Sequence, residues 1–132
     1  MSFEEAEILK RRAESFLKNA LRLIEEGEPD IALFSLEQYC QLILKYKLLI
    51  YTGSYPRTHS LRQLIRELGK VNPNILVLVN DIKNLHYIAR LEEAYISSRY
   101  LPYMYTTEEV KDISRFVVEV FKPIVNSIRI KV

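Results

Sequence analysis

The chain has 132 residues and a mass of 15.6 kDa, enough for one domain and too short for a second core. It is 48% hydrophobic and 27% charged with a mean hydropathy of −0.06, which excludes an intrinsically disordered chain. Lys and Arg number 19 against 17 Asp and Glu, a net charge of +2, so net charge alone does not suit the chain to coating nucleic acid, although a local basic face stays open.

Glycines and prolines punctuate the chain. Gly27 stands with Pro29, Gly53 with Pro56 and Gly69 with Pro73, the arrangement expected where one helix ends and the next begins. Between these marks the sequence predicts five helical segments, at about 3–26, 29–52, 58–69, 73–99 and 107–129. In the first, Ser2 and Glu5 have capping-box spacing, and Ala6, Leu9, Ala13, Phe16, Leu17, Ala20 and Ile24 form one apolar stripe. The second is apolar nearly all round, from Ile31 to Ile50, so it is either the central helix of a bundle or also faces a second subunit. Thr58 is positioned to cap the third.

Asn72-Pro73 reads as the start of the fourth segment, an N-cap followed by proline at the first helical position. The run Ile75 to Val79 has β-branched content, but helical spacing continues through Ile82, Leu85, Ile88 and Ala89, and no partner strand exists, so a single helix is expected. Thr106 and Glu109 predict a capping box for the fifth segment, and Pro123 a kink in its last turns. The expected fold is all-α, an up-and-down bundle of four long helices plus one short helix in a single domain over residues 1–132.

Little in the sequence points to catalysis. One cysteine, Cys40, excludes an internal disulfide and a cysteine-built zinc site. The two histidines, His59 and His86, belong to no His-Glu-x-x-His or Glu-x-x-His pair, and three scattered glycines build no phosphate loop, so no metal and no cofactor are expected. Glu92-Glu93 and Glu108-Glu109 read as a solvated helix face and a helix N-terminus. The acidic opening is not that of a signal peptide, and the densest apolar run, Ile75 to Val79, is too short to span a bilayer; a cytoplasmic protein without membrane contact is expected.

Three features admit a functional reading beside an ordinary one. His59, Arg62, Arg66 and Lys70 recur at three- or four-residue steps with Arg57 just before them, which makes either a solvated basic face or a phosphate-binding one. Tyr95, Arg99, Tyr100, Tyr103 and Tyr105 form a dense aromatic–cation cluster: a structural corner at the bundle end, or a surface for stacking and anion binding. Lys45 interrupts the apolar second segment, either snorkelling to the surface or facing something anionic.

In order and spacing these elements resemble the HEPN domain (higher eukaryotes and prokaryotes nucleotide-binding). The opening helix runs into Gly27-Glu28-Pro29-Asp30-Ile31-Ala32. Gln38 to Lys45 resembles the family's Glu-Lys-Ala-x-Lys-Ala run. Thr58-His59-Ser60-Leu61 comes next, then Ala94-Tyr95-Ile96-Ser97-Ser98-Arg99-Tyr100 and Thr107-Glu108-Glu109-Val110. The resemblance implies a small helical bundle that dimerises, often encoded beside a minimal nucleotidyltransferase, and that binds nucleotide or RNA. The positions it matches are Lys45, His59, Arg99 and Tyr100. Gln41 stands where the family often has Glu, and Leu101 separates Tyr100 from Pro102 where Arg-Tyr-Pro is usual. Ribonuclease members carry Arg, then four to six intervening residues, then His; the corresponding positions before His86 are Val79, Asn80 and Asp81, and before His59 Thr52, Gly53 and Ser54, with Tyr55 counted as one extra, and none is Arg.

The expectation is therefore a non-catalytic, homodimeric module that binds a nucleotide or contacts a nucleotidyltransferase. Lys45, Arg57, His59, Arg62 and Arg99 would engage anionic oxygens, while Tyr95 and Tyr100 shape or stack in the pocket. The alternatives are a divergent, toxin-like ribonuclease using His59 or His86, and a ligand-free dimeric scaffold. If the short helix makes a full return pass, the second and fourth segments run the same way and gather Lys45, Arg57 and His59 near Arg99. If it does not, these groups fall at opposite ends and a single pocket fails.

Overall fold

The apolar stripe of the first segment becomes the inner face of helix α1 (Phe3–Glu25), with Ala6, Leu9, Ala13, Leu17, Ala20 and Ile24 buried and Phe16 half-buried. The computed structural model describes residues 3–100 and 104–129, and of Ser98 and Arg99 only the backbone; the expected Ser2 cap and residues 101–103 of the tyrosine cluster lie outside the described residues. Gly27, at φ 75°, turns the chain into α2 (Pro29–Thr52), where Pro29 occupies the first turn.

Helix α2 is the centre of the molecule. It packs against α1 and, with its remaining faces, against α3 (Leu61–Gly69), α5 (Ile82–Tyr100) and α6 (Thr107–Phe116). Leu33, Leu36 and Leu44 are completely buried, each contributing about 1.5–3 kcal/mol relative to exposure. Its apolar circumference is thus covered within the chain: only Ile31 and Ile50 among its large apolar residues are exposed. Of the two readings of this helix, the central one is what the fold uses. Surplus apolar surface on α2 therefore gives no ground for a second subunit.

Gly53 ends α2 in the left-handed region, at φ 88°, with its N–H on Leu49 O. Residues 53–60 then double back along the bundle. Thr58 does not cap α3: its Oγ1 accepts from Ser60 N at 3.0 Å, and Ser60 is the cap, accepting from Gln63 N at 3.2 Å. The amphipathic reading of α3 holds, with Leu61, Leu64, Ile65 and Leu68 buried.

The fourth segment is not one helix. Asn72 caps as expected, its Oδ1 accepting from Asn74 N, but it opens a 3₁₀ turn (Pro73–Leu76) and then a short helix α4 (Val77–Asn80). Asp81 adopts ψ 122° and accepts from Asn84 N at 3.1 Å, so it caps a new helix, α5. Helix α6 opens with the expected capping box between Thr106 and Glu109. Beyond it a π turn (Val117–Phe121) leads to α7 (Lys122–Asn126), with the Lys122 N–H on Val117 O. The expected disturbance at Pro123 takes this form: proline supplies no N–H, and the wider turn before it re-pairs the backbone.

Pairs of contacts set the directions. Asp30 Oδ1 accepts the Tyr105 N–H, and Tyr51 Oη donates to Ile128 O, so α2 and the α6–α7 rod run parallel. Arg90 meets Glu109 while Tyr87 meets Asp112 and stacks on Phe116, so α5 is antiparallel to both. His59 meets Tyr95 while Arg62 meets Glu92, so α3 is antiparallel to α5 and parallel to α2. The all-α bundle is as expected, and no strand occurs among the described residues. The short helix makes no return pass, and neither branch of the directional expectation describes the result. The second and fourth segments run oppositely, yet His59 still reaches α5, because the irregular stretch 53–60 makes the return.

Candidate functional site

The centre of the site is a stacked pair. The His59 imidazole lies on the Tyr95 ring with centroids 4.2 Å apart and planes inclined by 11°. His59 is exposed, between two hydroxyl residues whose side chains bind the local backbone. Tyr95 is half-buried on α5. One turn earlier on that helix, Glu92 accepts from Ser60 Oγ at 2.9 Å and from Arg62 Nε at 2.5 Å. Both carboxylate oxygens are therefore taken by the start of α3, and residues 59–62 are fastened onto residues 92–95.

Lys45 is half-buried on α2, and its ammonium neither simply snorkels nor faces a bare anion. Its Nζ donates to Gln41 Oε1 at 3.0 Å and stands 5.5 Å above the Tyr55 ring. Gln41 Nε2 donates to Glu37 Oε2 at 2.9 Å, and Gln38 Nε2 to Glu37 Oε1 at 2.7 Å. Glu37, Gln41 and Lys45, spaced by four, thus form one polar row along an apolar helix, and Glu37 is completely buried. Burial lowers the Lys45 pKa, and the Glu37 charge opposes that shift. Burial also raises the Cys40 thiol pKa, reinforced by Glu37, which leaves Cys40 an inert core residue.

The structure brings together His59, Tyr95 and Arg62, puts exposed Arg57 on the same loop, and links Lys45 to that loop through Tyr55. Arg62 is not the unpaired cation the sequence suggested; Glu92 holds it. Lys70 pairs with Glu67, and Arg66 is exposed. Arg99 lies one helical turn beyond Tyr95, but its side chain is outside the described residues. Tyr100 is 69% exposed at the end of α5, whereas Tyr105 is buried against Ser97, a true structural corner. His86 is exposed on α5, away from the stack.

The sequence reading missed Glu37, Ser60, Tyr55 and the role of Glu92. Glu37 was discoverable as a carboxylate four residues before Gln41 and eight before Lys45 in an apolar run. Nothing local marked Glu92, since its partners lie 30 and 32 residues away. Glu109 is likewise more than a helix-start charge, because it closes the capping box and receives Arg90.

These features define a class: a small all-α bundle domain whose aromatic and charged side chains collect on a surface ledge between α3 and α5. The chain belongs to the HEPN domain family, whose model matches residues 6–128. That membership suggests a nucleotide-binding or ribonuclease-type function. No curated protein and no solved structure matches the chain.

Proposed function

We propose that this protein is a non-catalytic HEPN module that binds a nucleotide, or the nucleotide-bearing face of a nucleotidyltransferase, on the His59–Tyr95 ledge. The observation that supports this reading is the stacked pair itself. An exposed imidazole held flat on a tyrosine offers a π-face for a base, with Arg57 on the same loop for an anionic group. Lys45 and Tyr55 extend the site along α2, and Arg99 and Tyr100 extend it along α5. Arg62 acts in this reading by positioning, since its charge is engaged by Glu92.

The test is isothermal titration with ATP and with a short RNA, on wild type, His59→Ala and Arg99→Ala. Loss of one stacking partner is worth about 1–3 kcal/mol, so His59→Ala is expected to weaken binding by about 5- to 150-fold. No heat from either ligand with the wild type rejects the binding reading and leaves the scaffold one. Cleavage of labelled RNA that His59→Ala abolishes would replace it with a ribonuclease.

We further propose that the end of α5 is where a second copy or a nucleotidyltransferase docks. Ile96, Tyr100 and Met104 are 49%, 69% and 81% exposed there, beside the ledge. No helix among the described residues is long and apolar enough to cross a membrane.

A further inference from the structure

A second cavity lies between α1, α2 and the α6–α7 rod, about 420 Å³ in volume, and shares no lining residue with the His59–Tyr95 ledge. Leu17, Leu21 and Ile43 supply its apolar wall, and Lys10, Lys18 and Lys122 its cations; Glu14 is the one carboxylate lining it. Asn126 lies one turn beyond Lys122 on α7, so the two share a face. The positive character extends past the cavity. Lys47, near Lys10 and Arg129, has its pKa lowered by burial and then by those two like charges.

Tyr39 also lines this cavity. It is only 2% exposed, its ring edge-on to Phe121 at 6.1 Å, and its hydroxyl makes no hydrogen bond with any described residue. A buried hydroxyl left without a partner is unusual in a folded protein and calls for an explanation. Burial raises the Tyr39 pKa, with Cys40 and Glu14 adding to the effect, so the phenol stays a proton donor across the physiological range. A phenol donor in a groove lined by three lysines and an apolar wall is complementary to an oxyanion attached to an apolar body.

We propose that this groove is a binding site for a small oxyanion, a carboxylate or phosphate monoester, that carries a compact apolar body. Lys10, Lys18 and Lys122 bind the charge, the Tyr39 hydroxyl and Asn126 amide complete its hydrogen bonds, and Leu17, Leu21 and Ile43 receive the apolar part. Glu14 limits how much negative charge the groove accepts.

The test titrates the full chain with hexanoate and with hexyl phosphate, following backbone amide shifts by NMR, with hexanol and inorganic phosphate as controls. Saturable shifts at Leu17, Ile43 and Asn126 are expected with one or both hexyl anions, and none with hexanol at equal concentration. Hexanoate alone identifies a carboxylate site, hexyl phosphate alone a phosphate site, and both a general oxyanion site. Lys18→Glu with Lys122→Glu is expected to weaken binding by about tenfold or more, since both are exposed and their change leaves the core intact. Tyr39→Phe is expected to weaken it by about three- to tenfold. Absence of saturable shifts with both anions, equal shifts with hexanol, or undiminished binding by the double lysine variant overturns the proposal.

Discussion

Glu92 and Tyr95, three residues apart on α5, hold two ends of one surface ledge: the carboxylate takes Ser60 and Arg62 while the ring takes His59. Four residues of loop and helix start are thereby fixed to a single turn of a rigid helix. The ledge exists because an irregular stretch, not a helix, returns from the end of α2.

Removing that anchor has a direct consequence. Glu92→Ala leaves Arg62 and Ser60 without their partner at a half-buried site, and a stability loss of about 1–3 kcal/mol is expected. Urea denaturation of the variant measures it. The His59 ring signals in NMR are expected to lose the upfield shift of a ring stacked on tyrosine, and an unchanged His59 spectrum would show that the stack does not depend on Glu92.

The capping box of α6 makes a pH-dependent contribution. Hydrogen bonding to the Thr106 backbone N–H leads the effects that hold the Glu109 carboxyl below its ordinary 4.5; burial, the next in size, opposes it, and the Thr106 hydroxyl and Arg90 add to the lowering. The unfolded chain therefore binds more protons, and the contribution is fully present above pH 4.5 and lost as pH falls through the depressed folded value. Between pH 7 and pH 3, Glu109→Gln is expected to lose less stability than the wild type in parallel urea titrations. Thr106→Ala is expected to lower stability by about 1 kcal/mol at neutral pH.

Gly69 closes α3 against the 3₁₀ turn. A Cβ there would come within 2.7 Å of Leu76 Cγ, so Gly69→Ala displaces a packed leucine. A loss of about 1–3 kcal/mol is expected by thermal or urea unfolding, and a neutral result would mean that residues 73–76 shift freely.

The docking proposal for the end of α5 is checked by light scattering. The wild type is expected at twice 15.6 kDa, and Ile96→Glu at the monomer mass. A monomeric wild type at micromolar concentration would refute self-association.

Much of the local chemistry is legible where its partners lie within one helical turn. The capping box at Thr106 and Glu109, the Asn72 cap and the stripe of α1 all depend on spacings of two to four residues, and the structure bears each of them out. The single helix expected over residues 73–99 fails on equally local chemistry. Apolar spacing runs on through Val79 and Ile82, but the Asp81 cap between them breaks the helix. The Thr58 cap falls one hydroxyl short, since Thr58 and Ser60 both suit the role and only the backbone path assigns it to Ser60.

Residue order alone was sufficient for the all-α class, the central standing of α2 as one of two readings, and the shortlist of cations and tyrosines, because helix periodicity and capping are short-range. Folding settled which of those cations meet anything. Arg62 was neutralised by a carboxylate 30 residues away, the Tyr55 ring was brought to Lys45 by the returning stretch 53–60, and His59 was laid on Tyr95 by a loop whose course no periodicity encodes. Charge pairing and ring stacking act through space at a few ångströms, so they become visible only when distant segments share one surface.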